Sequence, residues 1–298
     1  MIKKTFFCFI ALLTIYSLLW QFGKDSMAPV AHEFWQENSI KAQNYIYAEE
    51  DFENVIVGSS IAAKLVADSI PGSYNLAMVG QSAHDGLAIL VKKGKYPKRV
   101  FIETNTFNHN PDNRLINSIH NPLLYNIQKL LISARDGHGP IDILIHELNK
   151  KIIGENVSDI VLYDKGMYRY SIKQLDFPAD SVSFVENNAW RNVPYSGALI
   201  TELSQKAREY IDILRSHNTE VIFFEMPYNE YICDNVILHN LRQAITEAAP
   251  AEDYIFLPNV LCGDQYSTFD GIHLDRKGGE NYTRYLKHQI DSLKNIGK

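Results

Sequence analysis

An aspartate and a histidine stand three residues apart near the end of the chain, at Asp270 and His273, just before an amphipathic helical pattern. This spacing lets the carboxylate lie beside one imidazole nitrogen while the other nitrogen stays free to act as a base. A base of this kind needs a nucleophile. Far upstream, the apolar run Asn54–Val57 leads into a turn that carries Ser60 and then into the helix-compatible segment 61–65. The pattern predicts a serine nucleophile on a strand-to-helix turn, activated by the histidine.

Two short blocks around these residues resemble a known family of enzymes. Gly58-Ser59-Ser60 resembles the Gly-Asp-Ser block of the SGNH (GDSL-like) hydrolases. The pair Asp270 and His273 resembles that family's closing Asp-x-x-His block. Taken singly, each block has a structural alternative, because a Gly-Ser-Ser turn caps a helix well and so does an aspartate that precedes a helix.

Two weaker blocks lie between them, in the family's order. Segment 74–82, Tyr-Asn-Leu-Ala-Met-Val-Gly-Gln-Ser, resembles the second block, whose glycine is Gly80. Segment 102–106 stands where the third block, Gly-x-Asn-Asp, is expected, and it supplies Asn105. The glycine of that block is replaced by Glu103, which is either an acid near the nucleophile or a carboxylate that binds a neighbouring backbone N–H or an arginine.

The resemblance implies a fold and a set of roles. The fold is an α/β, SGNH-type (flavodoxin-like) three-layer sandwich with a five-stranded parallel sheet and a helical insertion. Ser60 is the nucleophile, His273 the base and Asp270 the residue that orients the imidazole. The backbone N–H groups of Ser60 and Gly80 and the amide of Asn105 are expected to stabilise the oxyanion, and loss of one such donor typically costs about 3–4 kcal/mol. Neither a cofactor nor a metal is expected, and no Cys-x-x-Cys or His-Glu-x-x-His spacing suggests zinc.

Five apolar runs separated by helical patterns predict the strands of such a sheet from the residues alone. They are residues 55–57, 74–77, 100–102, 220–225 and 254–257. Right-handed helical crossovers would join them into a parallel sheet, which binds its ligands beyond the carboxyl ends of the strands. Ser60, Gly80 and Asn105 each follow the end of a predicted strand.

The alternation of strands and helices stops between residues 107 and 194. Helical patterns at 114–135 and 141–153 are followed by loops rich in aromatic and polar residues, so we predict an insertion that packs over the site. Its aromatic residues, Trp190 among them, either line a groove for sugar rings or pack the insertion itself. His84 is a second weak candidate for substrate contact, although the Asp-Gly pair that follows it is typical of a turn.

The N-terminal segment, residues 1–23, decides the compartment. Lys3 and Lys4 precede an uncharged stretch from Thr5 to Trp20, which makes roughly 24 Å of helix, just short of a hydrocarbon core of about 30 Å. We favour an uncleaved anchor in the inner or plasma membrane, with the catalytic domain periplasmic or extracellular. A cleaved signal peptide, which would leave the protein secreted, is the alternative.

The remaining sequence is divided into a stalk with a lead-in helix, residues 24–53, and one catalytic domain, residues 54–298. A net charge of -6 without a concentration of Lys or Arg argues against nucleic acid as a partner. Cys233 and Cys262 would lie outside the cytoplasm, where a disulfide between them is permitted and would stabilise the fold by roughly 3–4 kcal/mol. Two unlinked cysteines are the alternative.

These observations favour an extracytoplasmic serine enzyme that acts on esters through an acyl-serine. The N-terminal segment and the variant blocks resemble the SGNH branch that adds or removes acetyl groups on surface polysaccharides, such as the relatives of alginate O-acetyltransferase. That resemblance implies a polysaccharide substrate and a membrane acyltransferase as partner. A secreted esterase or lipase is the nearest alternative, and a non-catalytic envelope protein that binds glycan or a partner is an alternative of another class. A phosphate-binding turn at 58–60 is a third, but it lacks the glycine spacing of a nucleotide loop.

Overall fold

The structure is a computed structural model. It describes residues 2–23, 29–31, 33–153, 162–164, 167–169, 197–230, 232–233, 236–249, 254–258 and 266–296. The helices in these residues are α1 (Ile2–Gly23), α2 (Phe34–Tyr47), α3 (Ala83–Lys93), α4 (Asn113–Ile119), α5 (Pro122–Leu130), α6 (Pro140–Ile153), α7 (Gly197–Ser216), α8 (Val236–Ala248) and α9 (Arg276–Ile296). The strands are β1 (Asn54–Val57), β2 (Ser73–Asn75), β3 (Arg99–Glu103), β4 (Leu162–Asp164), β5 (Met167–Arg169), β6 (Glu220–Phe224) and β7 (Ile255–Phe256).

The chain forms two compact units. The first unit comprises Met1–Ala48 and Arg114–Ser171, and the second comprises Glu49–Asn113 and Ile172–Lys298. In the first unit, α1 is long and apolar enough to cross a membrane by length and composition, and β4 and β5 form an antiparallel pair. The second unit contains the five-stranded sheet.

The sheet is parallel throughout, with strand order β2-β1-β3-β6-β7. Its inner strands are buried on both faces, and Val55, Ile56 and Val57 are 0% exposed, as expected of continuous apolar runs in a parallel sheet. The predicted α/β fold with five parallel strands is therefore confirmed. Because the chain steps from β1 outward to β2 and then returns to β3 on the other side, the topological switch point lies beside β1, at its carboxyl end.

Helix α3 packs directly on β1, and a glycine allows it to do so. A Cβ atom on Gly86 would lie 2.8 Å from Cβ of Val57, which is closer than real carbon atoms approach. We predicted a turn at the Asp-Gly pair of residues 85 and 86, but both residues lie in the first turn of α3. The prediction was wrong because the carboxylate of Asp85 accepts hydrogen bonds from the N–H and hydroxyl of Ser82, both at 2.9 Å, at the start of the helix.

The helix predicted at 61–65 is only a 3-10 turn, Ala62–Lys64. The side-chain amide of Asn75 donates to the carbonyl oxygens of Ala62 and Leu65, at 3.0 and 3.2 Å. A continuing α-helix would need these carbonyls as acceptors for its next N–H groups. The side chain of Asn75 competes for these acceptors where the helical turn ends, and Ala62 O also accepts from Leu65 N, at 3.1 Å.

The helical pattern at 114–135 is divided into α4, α5 and a 3-10 turn, Ile132–Ala134. The division falls at Pro122, which lacks an N–H and therefore starts a new helix. Asn121 caps this helix, because its side-chain oxygen accepts hydrogen bonds from the N–H groups of Leu123 and Leu124, at 3.0 and 3.2 Å.

Candidate active site

Three predicted residues, from two distant parts of the sequence, meet in one chain of hydrogen bonds. Ser60 Oγ lies 2.8 Å from His273 Nε2, and His273 Nδ1 lies 2.6 Å from Asp270 Oδ2. A carboxylate only accepts hydrogen bonds, so Nδ1 carries the proton of the neutral ring and Nε2 accepts the hydroxyl proton of Ser60. The geometry is that of a nucleophile next to a general base whose ring is oriented by an acid.

Asp270 is held by its own loop. The backbone N–H groups of Ile272 and His273 donate to its Oδ1, at 3.1 and 2.8 Å, while Oδ2 binds the imidazole. Burial by itself raises the pKa of the Asp270 carboxyl group, but the hydrogen bonds and the interaction with His273 outweigh burial and lower the pKa below its ordinary value. The side chain is therefore a charged acceptor that keeps the imidazole in the tautomer required of a base.

The loop that carries these two residues is closed by backbone contacts. Thr268 and Leu274 form an antiparallel bridge, and Phe269 N donates to His273 O at 3.1 Å. Gly271 adopts a φ of 89°, a conformation that favours glycine. The His273 ring stacks on the ring of Phe269, with centroids 5.6 Å apart and planes at 15°. Stacking and the carboxylate together fix the orientation of the imidazole.

Helix α9 starts immediately after this loop, and its first turn requires glycine. Asp275 Oδ1 accepts from Gly278 N at 2.8 Å and from the hydroxyl of Ser267 at 2.6 Å. A Cβ on Gly278 would lie 2.2 Å from the carbonyl oxygen of Ser267. Two consecutive glycines within a helical pattern are the sequence signal for such a close approach.

A second contact of α9 connects the histidine loop to the segment after the nucleophile. Thr283 Oγ1 accepts from Val66 N at 3.0 Å and donates to Gly279 O at 2.7 Å. Gly279 in turn lies close to the backbone of Lys64, whose oxygen would be 3.1 Å from a Cβ there. These contacts fix the distance between Ser60 and His273. No sequence signal points to Thr283, because its role depends on a residue more than two hundred positions away.

The turn before the nucleophile is held by a buried carboxylate. Glu103 is 0% exposed, and its Oε2 accepts from the N–H and the hydroxyl of Ser59, at 2.6 and 2.8 Å. Ser59 Oγ also accepts from Ile61 N at 3.2 Å, so one hydroxyl spans the turn on both sides of Ser60. A Cβ on Gly58 would lie 2.7 Å from Glu103 Cβ, which explains the glycine. Of the two interpretations of Glu103, the geometry favours the one in which it binds a neighbouring backbone N–H.

Gly80 lies in a tight turn after β2. Gln81 N donates to Met78 O at 3.3 Å, and Gly80 has a φ of 70° at the third position, as in a type II turn. Met78 N donates to Gly58 O at 3.1 Å, which connects this turn to the turn that precedes Ser60. A Cβ on Gly80 would meet no atom within 4 Å, so the turn faces open space. This placement suits a donor to an oxyanion, which stays a prediction.

Asn105 follows the end of β3, on the other side of β1. It is 4% exposed and its amide pairs with the backbone of Met226, donating to the carbonyl at 2.9 Å and accepting from the N–H at 2.7 Å. A side-chain amide has two N–H hydrogens, so one remains after this pairing. The contact holds the amide group rigidly after the strand, and the role of Asn105 as an oxyanion donor stays a prediction.

The two weak candidates for substrate contact fare differently. His84 is 1% exposed, its Nε2 lies 2.9 Å from Phe107 O, and the two rings are 4.7 Å apart. Burial lowers the pKa of His84, which favours a neutral ring with a packing role. This burial argues against a substrate contact, which stays a prediction. Trp190 lies outside the described residues.

The structure describes two of the three cysteines. Cys8 is a free, exposed thiol, and Cys233 is disulfide-bonded. Cys262 lies outside the described residues, so its pairing with Cys233 stays a prediction. Within the parts of the chain that the structure describes, no group of three His, Cys, Asp or Glu side chains is arranged to hold a metal ion.

Comparison with known proteins adds two distant structural similarities. No protein-family model matches the sequence, and no curated protein matches it. The chain is similar to a GDSL-like lipase from Bacteroides thetaiotaomicron, at 13% identity and a TM-score of 0.44, over 88% of this chain and 100% of that chain. It is also similar to a proposed acylhydrolase from Bacteroides fragilis, at 11% identity and a TM-score of 0.43, over 88% of this chain and 99% of that chain.

Proposed function

We propose that this protein is an extracytoplasmic serine enzyme that cleaves or transfers acyl esters through an acyl-Ser60 intermediate. The observation that supports it is the chain of hydrogen bonds from Ser60 Oγ through His273 to Asp270, at 2.8 and 2.6 Å. Residues that merely capped two helices would have no reason to meet across more than two hundred positions of sequence with the imidazole between a hydroxyl and a carboxylate.

The reaction follows from these positions. Ser60 Oγ attacks the ester carbonyl carbon while His273 Nε2 takes the hydroxyl proton, and Asp270 stabilises the imidazolium that forms. The N–H groups of Ser60 and Gly80 and the Asn105 amide bind the tetrahedral oxyanion. When the carbon–oxygen bond to the alcohol breaks, the imidazolium gives its proton to the departing oxygen. Water or a sugar hydroxyl then attacks the acyl-serine while His273 removes its proton. The bond from the acyl carbon to Ser60 Oγ breaks as the imidazolium returns that proton to the serine.

The substrate class that we propose is an O-acetylated or acetyl-accepting polysaccharide at the cell surface. Two features support it: the apolar helix α1, which can hold the domain at a membrane, and the resemblance of the sequence blocks to the polysaccharide-modifying SGNH branch. A membrane acyltransferase would be the partner that supplies acetyl groups for transfer. Exclusion of water from the acyl-serine favours transfer, and an open site favours hydrolysis.

The test uses the full-length chain in detergent. A fluorophosphonate probe should label the protein, and p-nitrophenyl acetate should be turned over, while both activities should be lost in Ser60→Ala and His273→Ala. The matched controls are Ser69→Ala and His288→Ala, which replace exposed residues of the same types and should leave labelling and turnover unchanged.

An oligosaccharide acceptor then separates the two reactions, because acetylated sugar reports transfer and free acetate reports hydrolysis. A folded protein that neither reacts with the probe nor turns over the ester would overturn the proposal of an enzyme. It would favour a protein that binds glycan or a partner. Activity that survives Ser60→Ala would overturn the assignment of the nucleophile.

A further inference from the structure

Two helices of the first unit leave an apolar stripe exposed, which we call the apolar face. It consists of Leu123, Leu124, Ile127, Leu130 and Leu131 from α5 and its end, and of Ile141, Leu144, Ile145 and Leu148 from α6. In each helix these positions recur at intervals of three and four residues, so they share one side. Exposure reaches 69% at Leu123, 77% at Leu130 and 70% at Ile141. Exposed aliphatic stripes of this size mark contact with a protein or a membrane.

Each of these helices also turns a polar side chain toward the protein. Gln128 of α5 is buried, and its side-chain oxygen accepts a hydrogen bond from the hydroxyl of Tyr47 at 3.1 Å. Asp142 of α6 accepts from the side chain of Gln36 at 3.2 Å. Both partners belong to α2. Each helix therefore turns a polar group toward α2, beside the half-buried Tyr125 and Ile143, while its exposed side carries aliphatic side chains, which a water-exposed amphipathic helix does not do.

The segment between α5 and α6 is bonded to the candidate membrane helix α1. Ser17 Oγ lies 2.8 Å from Ser133 Oγ, and the hydroxyl of Tyr16 donates to His138 O at 2.6 Å. Trp20 is 1% exposed, and its ring lies 4.4 Å from the ring of His138. The segment that contacts α1 therefore has α5 on one side of it in the sequence and α6 on the other.

The position of these contacts along α1 sets their depth. At about 1.5 Å per residue, Trp20 and Tyr16 lie roughly 5 and 10 Å before the end of the helix at Gly23. Amphipathic helices that lie in a membrane surface bury their apolar side to a depth of about 5–10 Å, at the boundary of headgroups and acyl chains. The segment between α5 and α6 is therefore attached at the level of the bilayer where an outward aliphatic surface is stable.

We propose that the apolar face lies in the interfacial layer of the lipid bilayer, on the side of the membrane where α1 ends. The lipid surface is the occupant because the segment that joins α5 to α6 is hydrogen-bonded to a helix that can itself span a bilayer. The chain is then held by one crossing helix and by two helices that lie in the surface. This inference rests on the proposed retention of α1 and is independent of the chemistry at Ser60.

The test places a fluorescent probe on α5 in the full-length protein reconstituted in phosphatidylcholine vesicles. Leu130→Cys puts an NBD group on the apolar face, and Lys129→Cys puts it on the next exposed position of the same helix, which points away from that face. Both variants carry Cys8→Ala, and the Cys8→Ala protein alone measures background labelling. Both positions are exposed, so neither substitution removes a buried contact.

We expect the probe at position 130 to emit at shorter wavelength and to be quenched strongly by lipids with a spin label near the headgroup, while the probe at 129 is quenched mainly by aqueous iodide. Equal quenching by iodide at both positions would overturn the proposal. Short-wavelength emission at 130 without quenching by spin-labelled lipid would also overturn it, because the face would then bind a second copy or another protein. Flotation with the vesicles reports separately on α1: a chain that does not float overturns the anchor, and fluorophosphonate labelling of the same samples reports on the site.

Discussion

Replacing Glu103 with glutamine removes the charge of a buried carboxylate, keeps its size and tests how Ser60 is held. Glu103 Oε2 accepts two hydrogen bonds from Ser59, at 2.6 and 2.8 Å. Hydrogen bonds to charged groups contribute about 1.5–3 kcal/mol each and neutral ones about 0.5–1.5 kcal/mol. A loss of about 1 kcal/mol per bond weakens the attachment of the turn by about 2 kcal/mol.

The Ser60 hydroxyl lies 2.8 Å from His273 Nε2, and the weakened turn would hold it there less firmly. If the whole of about 2 kcal/mol raises the activation free energy, kcat/KM falls roughly 30-fold. We expect the fall in kcat and in the rate of fluorophosphonate labelling, with KM unchanged, because the fully buried Glu103 contacts the turn and not the substrate. Ser59→Ala removes the bond from the hydroxyl to Glu103 and also the acceptor of the Ile61 N–H, so it should cost a similar amount. Together the two substitutions should cost less than the sum of their separate effects, because they remove the same interaction.

The matched control is Glu53→Gln, which also removes a carboxylate beside the sheet. Glu53 Oε1 lies 3.1 Å from Arg99 Nη1, before the amino end of β1 and away from the nucleophile. This variant should lower the melting temperature without changing kcat. A Glu103→Gln protein with unchanged kcat/KM, or one that loses activity only in proportion to its unfolded fraction, would refute the positioning role of Glu103.

Three further predictions concern the frame of the site and the first unit. Thr283→Val leaves the N–H of Val66 without its acceptor and should lower the free energy of unfolding by about 1–3 kcal/mol in urea titrations, with a parallel fall in kcat. Gly278→Ala forces a Cβ against the carbonyl oxygen of Ser267 and should cost about 1–3 kcal/mol by the same measurement, where an unchanged midpoint would contradict it. Burial lowers the pKa of His138 from 6.5 to about 4. The unfolded chain therefore binds a proton at a higher pH than the folded chain does. The free energy of unfolding should fall by about 3 kcal/mol as the pH drops from 6.5 toward 4. Urea midpoints at several pH values should show this fall, and His138→Gln should reduce it.

The strands could be predicted from the local sequence because parallel strands buried on both faces are continuous apolar runs. Five such runs were predicted, and all five form the sheet. The residues Ser60, Asp270 and His273 were predicted from their types and spacing together with the resemblance of four blocks. The structure brings these three side chains into one chain of hydrogen bonds.

Other features depended on contacts that no local pattern reveals. The helix expected at 61–65 is a single 3-10 turn, and Asn75, which arrives from β2, donates to the carbonyl oxygens at its end. Residue 103 was visible as a departure from glycine, but its function became clear only when β3 placed its carboxylate against Ser59.

The sequence by itself determined which residues are able to do chemistry and which segments must be buried, because side-chain type and hydrophobic periodicity are local properties. The tertiary structure decided which residues meet. Thr283 and two glycines at the start of α9 connect the histidine loop to its surroundings. The polar contacts with α2 hold α5 and α6 while their aliphatic side chains stay exposed. Contacts between distant parts of the chain depend on the packing of whole elements, and packing is a property of the folded chain.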